Sequence, residues 1–210
     1  MRKRNRVSVV VASLLVVLIL ASAIACWLFD VRFAVSDPKG NQTDAHDMRW
    51  NSSYNLKQQG NTCGAHAVMA VIGSEKGILI DPYDIYDAMP EKLGRGYVFP
   101  WGLTRYLNKH DIKMKSFYLG LLKDASKIAW IEGRVALDNP VVMIVGTKKY
   151  LHYVTALGYS ESSFHLYDSE IVGDMNLDKP GNISIPKQEA INHMKSAFFK
   201  GLYLNMAISF

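Results

Sequence analysis

Cys63 is the residue from which a chemistry can be built. The chain has two cysteines, and the other, Cys26, sits inside an N-terminal apolar run. A single thiol in the remainder has no partner for an internal disulfide, so it is either packing or reactive. Ala67, Ala70 and Val71 fall on one face at helical spacing, which puts Cys63 in the first turn of a helix. Unpaired amides there carry roughly half a positive charge and favour a thiolate. A thiol nucleophile also needs a base within hydrogen-bond reach and a donor facing the oxyanion that forms on an attacked carbonyl. His152 is the best base, because it opens an apolar strand from which its ring can face the helix end. Asp168 closes the next strand of the same hairpin, where a carboxylate can hold the second ring nitrogen and fix the tautomer. A glutamine in the loop before Cys63 can supply the oxyanion donor. The chain order is Cys, His, Asp.

Other assignments of these residue types are weaker. His66 lies one helical turn after Cys63, and with His165 it invites a zinc reading, but the spacing matches no standard zinc pattern. His165 is an alternative base, yet it alternates with Phe164 and Leu166 on the strand that ends in Asp168. No metal and no cofactor is expected. Asn41-Gln42-Thr43, Asn51-Ser52-Ser53 and Asn182-Ile183-Ser184 match the glycosylation acceptor pattern, which matters only in a eukaryotic secretory path.

The elements that must position the site follow from pattern and punctuation. The first half is helical: Cys63 to about Ser74, ended by Gly73 and Gly77; a short helix through Met89, capped by Asp81 with Pro82 at its first position; and a third from Pro100 to about His110. Ile112 to Leu119 alternates in part, and a helix from Asp124 to Val135 follows. Pro140 to Gly146 reads as a buried strand, Lys148-Lys149 as a turn, and His152–Tyr159 with Ser163–Asp168 as a hairpin. Pro186 to Phe198 is expected to be helical, and Leu202 to Phe210 a closing strand. Helices followed by an antiparallel sheet give an α+β domain.

Four of the 24 basic residues, Arg2, Lys3, Arg4 and Arg6, precede an uncharged apolar run from Val7 to Phe29. Beyond them 20 basic residues face 19 acidic ones, without the basic stripe that nucleic acid would require. The run is long enough to cross a hydrocarbon core of about 30 Å as a helix. Basic residues before it orient the remainder outward. The expected organisation is a cytoplasmic tail at 1–6, one transmembrane signal-anchor (or a signal peptide) at 7–29, a polar linker at 30–49 and a domain at 50–210. Lipidation at Cys26 is a further mode of attachment. All three place the domain on the extracytoplasmic side, periplasmic or at the cell surface.

The run from Gln58 to Ala70, the strand Pro140 to Val145, His152 to Tyr159 and Phe164 to Ser169 together resemble the papain-like cysteine peptidases, and within them the C39 and C39-like group. Ile85-Tyr86, Gly96 and Pro100 to Leu107 resemble that group's middle segment. The resemblance implies a papain-like fold, Cys63 as nucleophile, His152 as base and later acid, and Asp168 as the residue that orients it. The group's oxyanion glutamine commonly precedes its cysteine by six residues. Here that position is Lys57, and Gln58 is the assignment, with Gln59 the alternative. The expected function is a membrane-anchored peptidase cleaving a peptide or amide bond in a peptide or protein substrate. An acyltransferase of transglutaminase type on the same residues, or a silent peptide-binding module, are the alternatives. The chain has no P-loop, so the leader-peptide substrates of exporter-linked C39 domains are not implied.

Overall fold

The computed structural model describes residues 11–20, 30–35, 43–90, 92–93, 96–146, 150–171, 178–199 and 202–210. In chain order these form a helical stretch at 11–20 (α1), β1 (Val31–Phe33), β2 (His46–Asp47), a 3₁₀ turn (Ser52–Tyr54), α2 (Cys63–Lys76), α3 (Pro82–Ala88) and α4 (Pro100–Lys109). There follow β3 (Lys115–Tyr118), α5 (Asp124–Val135), β4 (Val141–Gly146), β5 (Leu151–Tyr159), β6 (Ser163–Tyr167), β7 (Ile183–Pro186), α6 (Lys187–Ser196), β8 (Phe198–Phe199), β9 (Leu202–Tyr203) and β10 (Met206–Ser209).

The expected α+β class is observed. The main sheet runs β1-β3-β10-β4-β5-β6-β7, with β2 paired to β5 and β8-β9 forming a separate two-stranded ribbon. All its pairings are antiparallel except β1 with β3. Two strands fall where a linker was expected: β1 against β3, and β2 against β5. They are too short to announce themselves by alternation, and it is pairing with β3 and β5 that holds them extended. The closing strand is interrupted, because Asn205 takes a positive φ of 38° between β9 and β10.

Helix α2 is the centre of the domain. Every residue from Cys63 to Gly73 is buried, rather than one face as the apolar spacing implied, because β5, α3 and α4 all pack on it. A helix enclosed on all sides is apolar nearly all round; its small residues permit this, and His66 is the one polar side chain in the buried stretch. A Cβ on Gly64 would stand 3.3 Å from Leu103 Cδ1 and 3.6 Å from the Tyr153 ring. The missing side chain therefore serves close packing. Gly77 ends the helix in the left-handed conformation, φ 65°. Asp81 caps α3 by accepting from the Tyr83 amide at 2.8 Å, with Pro82 at the first position.

No helix among the described residues is long and apolar enough to cross a membrane. Of the apolar run, residues 11–20 are helical and exposed, while 7–10 and 21–29 lie outside the described residues, as do Lys148-Lys149, the tail at 1–6 and Cys26.

Candidate active site

β5 delivers His152 from its second residue, between β4 and β6, and the ring is only 2% exposed. Its Nε2 donates to Asp168 Oδ1 at 2.7 Å. The side chain of Cys63 is the ring's other hydrogen-bond partner. With Nε2 held by Asp168, Nδ1 is the ring nitrogen left to meet the thiol. Cys63, 89 positions before it, and Asp168, 16 positions after it, thus meet at the one imidazole. Cys63 is 6% exposed, on a helix packed against β5, α3 and α4.

Charge is managed unusually here. Burial, the largest influence on His152, works against its cationic form. The hydrogen bonds to Asp168 and Cys63, and then the charges of Cys63 and Asp168, outweigh it and raise the ring from 6.5 to about 10. The imidazolium is the form present at neutral pH.

The Asp168 turn is the most tightly fixed part of the site. Asp168 Oδ1 also accepts from the Glu170 amide at 2.9 Å. Asn182, 6% exposed, accepts from the Asp168 amide at 2.8 Å and donates to the Asp168 and Ile171 carbonyls at 2.7 and 2.9 Å. Sequence reading saw Asn182 only as a glycosylation acceptor. A buried amide saturated by backbone is a buttress, and a polar residue at the start of an apolar strand was the one available hint.

The loop before Cys63 is clamped to the same turn. Tyr167 Oη donates to the Leu56 carbonyl at 2.6 Å, Asn55 Nδ2 to the Gly181 carbonyl at 2.9 Å, and the Gln58 amide to the Ser169 carbonyl at 2.8 Å. Gln58 Oε1 accepts from Ser169 Oγ at 2.6 Å while Nε2 donates to the Gly60 carbonyl at 3.0 Å. A carbonyl can only accept, so the amide's orientation is settled and Nε2 keeps a second hydrogen for another acceptor. Gln59 and Lys57 are exposed; the Gln59 main-chain amide donates to Tyr83 Oη at 3.1 Å.

The other histidines are occupied elsewhere. His165 Nδ1 donates to Asp47 Oδ1 at 2.6 Å, a pair seated over Gly158, where a Cβ would collide with the Asp47 carboxylate. His66 is wholly buried; its Nδ1 donates to the Thr62 carbonyl at 3.0 Å, and among the described residues no hydrogen-bond partner of its Nε2 is found. Burial holds its pKa below 6.5, against the Thr62 carbonyl and the Asp81 charge, and the nearby His152 lowers it further. Among the described residues no group of three or more His, Cys, Asp or Glu side chains is gathered as a metal would need.

No protein-family model matches the chain, and no curated protein does. Among solved structures, a Bacillus anthracis protein assigned as a C39-like peptidase superposes with a TM-score of 0.48 at 14% identity, over 78% of this chain and 97% of the other. A cysteine protease of Carica candamarcensis, CMS1MS2, in complex with E-64, superposes with a TM-score of 0.47 at 13% identity, over 79% and 97%. At these values the likeness does not by itself assign an activity.

Proposed function

We propose that the chain is a cysteine peptidase acting through Cys63, His152 and Asp168. The observation that carries this reading is the His152 ring held between the Cys63 sulfur and the Asp168 carboxylate, 2.7 Å from the latter. The sulfur attacks the carbonyl carbon of a peptide or amide bond, and the π electrons move to oxygen. The second hydrogen of Gln58 Nε2, at the turn beside the thiol, is the side-chain donor for that oxyanion. When the tetrahedral species collapses, the C–N bond breaks and the proton on His152 Nδ1 goes to the leaving amine. Water then adds to the thioester as Nδ1 takes its proton. The C–S bond breaks, and the acid leaves with the sulfur regenerated. Asp168 stays ionised throughout and holds the ring.

The low exposure of both reacting groups suits this chemistry, since charge transfer in a dry site needs little solvent reorganisation. Comparison of Cys63→Ala with wild type tests the reading: the variant keeps the fold and loses turnover. Equal turnover by both removes Cys63 from the mechanism.

The tail Arg2 to Arg6 and the apolar run after it support tethering of this domain outside the cytoplasm. Protease added to intact cells should remove the domain, and alkaline carbonate should leave it with the membranes. Protection from external protease contradicts the assignment.

A further inference from the structure

We infer that the leaving-group side of the cleft selects a lysine or arginine directly after the scissile bond, through the Glu170 carboxylate and the Tyr150 ring. This rests on the peptidase reading. Because His152 Nε2 is committed to Asp168, the proton for the leaving amine comes from Nδ1. The residue that carries that amine must therefore sit beside Nδ1. Besides the sulfur, what stands there is Glu170, whose Oε1 is 4.0 Å from Nδ1 and whose side chain is 48% exposed. Tyr150, 43% exposed, has its ring centre 6.5 Å from that of His152. Its hydroxyl is shifted upward by burial first and then by the charges of Glu170 and Asp168, which puts all of them in one corner.

Glu170 is set rather than trailing in solvent. Its amide is held by the same Asp168 oxygen that holds His152, and Asn182 holds the next carbonyl. Among the described residues no lysine or arginine forms an ion pair with it. The carboxylate thus faces an imidazolium on one side and water on the other. In the resting site the two charges offset one another. As the proton passes from Nδ1 to the leaving amine, the ring becomes neutral and Glu170 loses its counter-charge. An ammonium or guanidinium on the departing residue replaces it at that moment, with its methylene stem laid on the Tyr150 ring. The gain belongs to the transition state and so appears in kcat/KM. Aspartate or glutamate in the same place is repelled.

The test incubates the full chain with a peptide mixture of varied sequence and reads the residue after each cut by mass spectrometry. Lysine and arginine should follow the cut roughly fivefold above their abundance, the scale of a partly exposed ion pair. Glu170→Gln should remove the enrichment, and Glu170→Lys should invert it towards acidic residues. Cuts indifferent to the following charge, or an enrichment that survives Glu170→Gln, overturn this assignment and leave the peptidase standing. Absence of any cut overturns the peptidase reading and this one with it.

Discussion

Replacing Asn182 by alanine removes three hydrogen bonds of 2.7, 2.8 and 2.9 Å from the turn that carries Asp168. Each is worth about 1 kcal/mol net, and the alanine leaves an amide and two carbonyls facing a site that is nearly closed to water. The expected loss is about 3 kcal/mol of folding stability. With a urea dependence of about 2 kcal/mol per molar, the midpoint should fall by about 1.5 M. Because the same contacts fix the carboxylate against His152, alkylation of Cys63 in the native variant should also slow. Ser184→Ala is the control: it breaks the same acceptor motif at an exposed position of β7 and should change stability by less than about 0.5 kcal/mol, about 0.25 M in the midpoint. The two measurements are urea titration followed by fluorescence and the second-order rate of iodoacetamide labelling. An Asn182→Ala midpoint indistinguishable from that of Ser184→Ala would refute the buttress.

Four further expectations follow from the charged groups. Turnover should hold through neutral pH and fall as pH rises through about 10, where His152 loses the proton that the leaving amine needs. Since the folded-state value is raised, His152 also stabilises the fold fully below about 6.5, and this contribution declines as pH climbs to about 10. Asp168→Asn keeps an oxygen for His152 Nε2 but removes the charge, so the alkaline limb of turnover should move to lower pH; an unmoved limb would exclude Asp168 from setting it. His66 has the opposite sign. Its value lies below 6.5, so the unfolded chain binds the proton first, and stability falls as pH drops below about 6.5. His66→Asn, which can still donate to the Thr62 carbonyl, should flatten that acid decline in urea midpoints, and an unchanged slope would contradict it.

What was legible in the sequence is what local chemistry encodes. α5 occupies the residues expected, Asp124–Val135, and α3 begins at the proline after its aspartate cap. The cysteine, histidine and aspartate could be picked because a helix start and two strand ends are places from which side chains converge. β1 and β2 were not legible, because three and two residues in polar surroundings become strands only through partners 85 and 111 or more positions away. Asn182 and Glu170 were missed for a related reason. Their importance lies in which backbone groups the fold lays beside them, and neither residue type nor spacing announces that. The enclosure of α2 was underestimated because a one-sided apolar stripe and a helix of small residues buried on every side look alike until the packing partners are known.

The most direct measurement is the rate at which iodoacetamide modifies Cys63 in the native chain at neutral pH, compared with His152→Ala and with the urea-unfolded protein. The account predicts fast labelling in the folded wild type and a loss of roughly a hundredfold or more without the imidazole, the scale of a removed catalytic acid–base partner. A thiol that reacts only after unfolding, or at the same native rate without His152, contradicts it.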